Sequence, residues 1–179
     1  MPETNTIKLI KKAQGGDVRA FELLVEGNYA VMFKMAFKWC GNKGDAEDIT
    51  QEACIKLARG LHSFRHDCAF SSWLYRLVIN AAKDWYKSQN RHPKHGDAGM
   101  DLIASDENTE EKLYAKQVWA GVYSLPEGEK DALLLVMAEG LSHKEAAQIL
   151  NIKESTVSGR IHEARKKLFA LFGKEQNYG

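Results

Sequence analysis

The chain has 179 residues and a mass of 20.2 kDa, room for one ordinary domain or two small ones, which excludes large barrels and multi-domain machines. Hydrophobic residues at 44% and charged residues at 27% are the proportions of a chain that buries a core rather than of a disordered tail. No apolar run approaches the ~18 residues of a bilayer span, and the opening MPETNTIKLIKK lacks the apolar region of a secretory signal, so the expected location is the cytoplasm.

The net charge of +1 is unevenly distributed. Residues 1–92 hold 14 Lys and Arg against 10 Asp and Glu, residues 93–123 hold 3 against 6, and residues 124–179 hold 8 against 8. Two lobes are thus separated by an acidic strip. Between Lys153 and Lys174 the last lobe is basic, a mark of nucleic-acid binders that a solvated charged face shares. Cys40, Cys54 and Cys68 are too few and too scattered for a disulfide framework and fit a reducing compartment.

Helical periodicity runs through the chain, and the three prolines with no sustained alternating segment argue against a β fold. A short helix over 6–14 closes at Gly15-Gly16, and Asp17 caps a helix through Phe21, Leu23, Leu24 and Val25. A further helical run, Tyr29 to Cys40, stops at Gly41-Asn42. Asp45 is placed as the cap of the next helix, with Glu47 and Asp48 in its first turn and its end near Leu61. Its Ile49, Ala53, Leu57 and Leu61 form one stripe assigned to the core. Asp48, Gln51, Glu52 and Ile55 form another, which by itself reads as a solvated face.

A loop over 62–70 leads to a long helix starting at Ser71 or Ser72 and reaching about Gln89. Trp73, Leu74, Leu77, Val78, Ala81 and Trp85 are expected to face inward, with Ser72, Arg76, Asn80, Lys83 and Lys87 as a polar and basic ridge. Tyr75 and Tyr86 stand beside the ridge, and the loop before it holds Phe64, Arg65 and Phe70. Aromatic rings interleaved with cations suit single-stranded nucleic acid, because unpaired bases stack on rings while the backbone follows positive charge. The two tryptophans are assigned to the core; the loop rings are not.

Residues 91–108, RHPKHGDAGMDLIASDEN, read as a linker. A helix over 110–123 follows, and Pro126 opens another that continues through Leu133 and Met137 to a stop at Gly140. Ser142-His143-Lys144-Glu145 is a capping box for a short helix, Lys144 to Leu150. Asn151-Ile152 makes a turn, and a second helix runs from Glu154 or Ser155 through Arg165. Ala146 and Ala147 are small enough for a close crossing, and Val157, Ile161, Ala164 and Leu168 face inward. This is the pattern of a helix-turn-helix, whose second helix enters the DNA major groove. Ser158, His162 and Glu163 are left on its outer side, flanked by Arg160, Arg165 and Lys166.

The stretches DAEDITQEACIKLARGLHSFR, FSSWLYRLVINAAKDWYKSQNR and SLPEGEKDALLLVMAEGLSHKEAAQILNIKESTVSGRIHEARKKL resemble regions two and four of the bacterial sigma-70 family, in its small extracytoplasmic-function group. The linker leaves no room for an intervening region-three domain, as in that group. The resemblance implies an all-α fold of two small helical domains, 1–92 and 110–179, joined by a flexible linker at 93–109. It implies an alternative sigma factor that binds core RNA polymerase through its β′ clamp and β subunits, directs it to promoters, and performs no bond chemistry itself. Asp48, Gln51, Glu52 and Ile55 then gain the β′ clamp as partner. Phe64, Arg65 and Phe70 match the loop that captures an extruded base of the −10 element, Asn80 the asparagine beneath it, and Arg76 and Lys83 the contacts to the melted strand. Arg160 and Arg165, with Lys166, match residues near −35 phosphates, while Ser158, Gly159, His162 and Glu163 occupy base-facing positions. An anti-sigma factor is an expected further partner.

No cofactor is expected, and His66, Cys68, His92 and His95 are too irregularly spaced for a zinc site. On the residues alone, a helix-turn-helix regulator whose N-terminal lobe senses a ligand or dimerises remains the alternative.

Overall fold

In the computed structural model, residues 3–88 and 109–172 are described. The expected linker, His92 and His95 lie outside these residues. Among those described, the structure is helical throughout: α1 (Glu3–Gln14), α2 (Val18–Cys40), α3 (Lys43–Gly60), α4 (Phe70–Ser88), α5 (Thr109–Ser124), α6 (Glu127–Leu133), α7 (His143–Leu150) and α8 (Glu154–Phe172). The chain divides into two compact units, one of Met1–Phe37 with Gly44–His92 and one of Lys38–Lys43 with Pro93–Gly179. No helix among the described residues is long and apolar enough to cross a membrane.

In the first unit, α1 ends at Gly15 and Gly16, the latter at φ +92°. Asp17 Oδ1 then accepts from the amide of Ala20 at 3.0 Å, the N-cap expected of it. Beyond it, α2 is one continuous helix where the sequence suggested two. Gly27 and Asn28 do not break it, because Asn28 Nδ2 donates back to the carbonyl of Leu24 at 2.7 Å and the buried stripe Ala20, Leu24, Met32, Met35 carries across them. The start of α3 also differs: it begins at Lys43, so Asp45 lies inside the first turn rather than at the cap. Its carboxylate accepts from the Tyr86 hydroxyl at 2.8 Å. The predicted core stripe Ile49, Ala53, Leu57 and Leu61 is buried.

The π-helical stretch over Leu134–Ala138 replaces the plain helix expected between α6 and Gly140. The amide of Glu139 reaches the carbonyl of Leu134 at 3.0 Å, and Gly140 at φ +70° ends the run. Two glycines of the second unit, Gly121 and Gly128, are set by packing. A Cβ on Gly121 would meet the Phe172 ring at 2.8 Å, so α5 and α8 cross where that side chain is missing.

The capping box at α7 is complete. Ser142 Oγ accepts from the Glu145 amide at 3.2 Å, while Glu145 Oε2 accepts from the Ser142 amide at 2.8 Å and from its hydroxyl at 2.7 Å. Those bonds hold the Glu145 carboxyl below its ordinary value, the hydroxyl first and the amide second. Its contribution to stability is therefore present above the ordinary carboxylate value and lost as pH falls through the lowered one. Ser142→Ala is expected to cost about 1 kcal/mol at neutral pH and to diminish that acid-side loss, which thermal unfolding at two pH values checks.

Candidate nucleic-acid and polymerase interfaces

The predicted site residues lie on α3, around the loop before α4 and α4 itself, and, in the second unit, on α8. On α3, Asp48 and Gln51 are exposed, Glu52 is half-exposed, and Ile55 is 44% exposed, all opposite the buried stripe. Lys56 lies beside them, but its ammonium sits 2.8 Å from Asp84 and only 4.0 Å from Glu52. Lys56 is thus shared, closer to Asp84 than to Glu52, and Asp48 and Gln51 remain exposed beside it. Cys54, half-buried next to it, is pushed up by burial and held as a neutral thiol.

The loop before α4 differs from expectation at its centre. Phe64 is 7% exposed and packs among three rings, with centroids 4.8 Å from His66, 5.0 Å from Trp73 and 5.5 Å from Phe70. The sequence reading that kept both loop rings out of the core is thus corrected for Phe64, which supports the loop, while half-buried Phe70 is left as its accessible ring. Gln14 at the end of α1 donates through Nε2 to the carbonyls of Leu61 and Phe64, both at 2.9 Å. The base of the loop is thereby tied down. Nothing local in the sequence signals this, because the partners are 47 and 50 residues away.

Phe70 lines a cleft of about 610 Å³ with Thr6, Ile7, Asn28, His66 and Ser71. Asn80 is not among the residues that line that cleft. It lines a second hollow of about 650 Å³ with Lys56, Arg59, Leu77, Lys83 and Asp84. Arg65 and Asn80 are exposed, and Arg76 and Lys83 half-buried. The ridge on α4 is also shorter than expected. Ser72 is 6% exposed and belongs to the interior, as does Tyr86 at 5%, whereas Trp73, Leu77 and Trp85 are only partly covered.

In the second unit, α7, the turn and α8 form the expected helix-turn-helix. Asn151 takes the left-handed conformation at φ 53°, which an asparagine tolerates. Ala146, Ala147, Val157, Ile161 and Ala164 are buried between the helices, and Leu168 is half-buried. The flanking cations of α8 are partly engaged. The Arg160 guanidinium lies over Gly128, whose added Cβ would stand 2.8 Å from Cζ, Arg165 Nη2 is 3.4 Å from Met137 Sδ, and Lys167 Nζ is 2.5 Å from Glu129 Oε1. On the outer side, Ser158 Oγ lies 2.8 Å from His143 Nδ1, and Gly159, His162, Glu163 and Lys166 are exposed.

Such a motif, with a polar outer face on its second helix, defines a DNA-binding protein of the helix-turn-helix class. Comparison with known proteins narrows this. Residues 24–92 match the family Sigma-70 region 2, and residues 118–168 match Sigma-70, region 4. The ECF RNA polymerase sigma-E factor of Escherichia coli K12 is 34% identical over 175 residues, covering 89% of this chain and 90% of the relative. The RNA polymerase sigma-H factor of Pseudomonas aeruginosa PAO1 is 33% identical over 174 residues, covering 90% of each.

Among solved structures, CnrH in complex with the cytosolic domain of CnrY superposes with a TM-score of 0.70 at 26% identity, covering 95% of this chain and 97% of that one. RpoE of Bartonella quintana, solved with the anti-sigma factor NepR, shares the fold with a TM-score of 0.64 at 21% identity over 87% of this chain and 98% of that one. The chain belongs to the extracytoplasmic-function group of the sigma-70 family. It is therefore a transcription-initiation factor, working with core RNA polymerase at promoter DNA.

Proposed function

We propose that the protein divides promoter recognition between residues 1–92 and 110–179, joined by a linker at 93–109, and that the surfaces above carry the separate tasks. Asp48, Gln51, Glu52 and Ile55 on α3 dock on the β′ clamp. Arg65 and Phe70, with Asn80 and Lys83 at the second hollow and Arg76 on the same helix, hold the opened −10 strand, and Phe64 keeps their loop in shape. The outer face of α8 reads the −35 element, with Arg160, Arg165 and Lys166 near phosphates. The protein acts in the cytoplasm, leaves all bond chemistry to the polymerase, and is held in check by an anti-sigma factor that covers the same surfaces.

The observation that carries this reading is an exposed acidic face on α3 on the same chain as a helix-turn-helix with an open outer face. Neither surface is used by its own unit's core. The charge division adds a constraint: each lobe offers only a modest positive face, and the acidic strip between them interrupts a continuous track along DNA. The isolated protein is accordingly expected to bind duplex promoter DNA poorly at physiological salt, and to gain specificity when core polymerase sets the spacing of the two lobes. Co-elution with core polymerase and initiation at one defined start site is the test. A dimer that binds a palindrome tightly without polymerase would replace this reading with that of a repressor-like regulator.

A further inference from the structure

Gly159 stands in the second turn of α8 on its outer side, inside the helix, where glycine is less stable than alanine. Neither the fold's conformation nor its packing accounts for it. Its φ lies outside the left-handed region, and an added Cβ would meet nothing within 4 Å, whereas at Gly121 and Gly128 the same atom would stand 2.8 Å from Phe172 and from Arg160. The missing side chain leaves room for something that is not part of this chain.

One helical turn later, on the same side, stands Glu163. It is exposed and forms no ion pair among the described residues. The lysine four residues on, Lys167, is the ordinary partner of such a glutamate, but its ammonium is drawn to Glu129, whose side chain is only 15% exposed. Other polar groups of the helix are also committed. Ser158 Oγ is shared between His143 Nδ1 and the carbonyl of Glu154 at 3.2 Å, and Arg160 lies over Gly128. Glu163 is therefore an unengaged acceptor beside a gap.

An ionised carboxylate only accepts hydrogen bonds. In the major groove, thymine and guanine present acceptors to it, and adenine sets its N7 acceptor beside its amino group; cytosine presents the N4 amino donor alone. Resting on the reading of α8 as the −35 reader, we propose that Gly159 and Glu163 form a notch that admits the edge of one cytosine in the −35 element, with Gly159 letting the groove close on the helix backbone and Glu163 accepting from N4.

The experiment is selection of −35 sequences from a randomised pool by core polymerase reconstituted with wild-type protein, Glu163→Gln, Glu163→Ala or Gly159→Ala, together with thermal unfolding of each free protein. The wild type is expected to enrich a motif with a cytosine at one fixed position. Both Glu163 variants should lose that preference about tenfold while keeping the other positions. Gly159→Ala should melt about 4 °C higher and yet use the selected promoters about fivefold less well.

A gain in thermal stability with a loss of promoter use is a combination that a merely structural glycine does not give. Unchanged selection by the Glu163 variants, or unchanged promoter use by Gly159→Ala, overturns the notch while wild-type selection leaves α8 as the −35 reader. A wild-type protein that binds polymerase but enriches no −35 motif overturns both.

Discussion

Phe70→Ala is expected to lower open-complex formation about tenfold or more without loss of the folded state, whereas Phe64→Ala is expected to destabilise the first unit strongly, by about 3–5 kcal/mol. The two rings are neighbours, with centroids 5.5 Å apart, but their surroundings differ. Phe64 is buried against Trp73, His66 and Phe70, and removing a buried phenylalanine costs about 3–5 kcal/mol out of a total stability of about 5–15 kcal/mol. Phe70 is half-buried and lines the cleft beside α1, where an unpaired base has a ring to stack on. Stacking of a base on an aromatic ring is worth about 1–3 kcal/mol, which is the origin of the expected tenfold loss. Permanganate footprinting of the −10 region measures opening, and circular dichroism measures folding. DNA mismatched at −10, already open, should restore most of the Phe70→Ala loss. Should the mismatch restore nothing, Phe70 acts on docking or folding rather than on the opened strand.

That contrast also marks where sequence reasoning stops. The capping box at Ser142, the Asp17 cap, the buried stripe of α3 and the turn at Asn151 all depend on residues near one another in the chain, and all are legible there. Phe64 and Phe70 look alike in sequence, both being loop rings next to polar residues. What separates them is the placement of Trp73, and of Gln14 beneath the loop, which are tertiary facts. Tyr86 was misplaced for the same reason: its hydroxyl reaches Asp45, 41 residues away, which lets a polar ring sit in the interior. The reach of Lys167 to Glu129, 38 residues back, belongs here too. A helical wheel pairs it with Glu163, and only the packing of α6 on α8 removes it. The family resemblance assigns Asn80 a role together with Phe64 and Phe70, yet Phe64 is buried and Phe70 lines a different hollow from Asn80. Asn80 instead shares its hollow with Lys56, Arg59 and Lys83, a more basic setting for a DNA strand than the cleft of Phe70.

On α3, the double variant Asp48→Ala/Glu52→Ala is expected to weaken binding to core polymerase about a hundredfold and to leave the fold within about 0.5 kcal/mol of wild type. The stability half follows from geometry. Ile49, Ala53 and Leu57 are fully buried on the opposite side of the helix, and the closest cation, Lys56, keeps its 2.8 Å contact with Asp84 when Glu52 is gone. The affinity half follows from the composition of the face. Two carboxylates and the Gln51 amide surround Ile55, an exposed apolar residue ringed by groups that can be paired and desolvated by a basic partner. Charge removal should act first on the association rate and steepen the loss at low salt, where the wild-type attraction is least screened. Ile55→Ala should instead speed dissociation at every salt concentration. Leu57→Ala, one turn further along the buried side, serves as the opposite control: it is expected to cost about 2–5 kcal/mol of stability and to affect polymerase binding only through unfolding. If the double variant bound core polymerase as tightly as wild type at low and at physiological salt, the outer face of α3 would be an ordinary solvated surface, and the polymerase contact would have to be sought on another helix of the first unit.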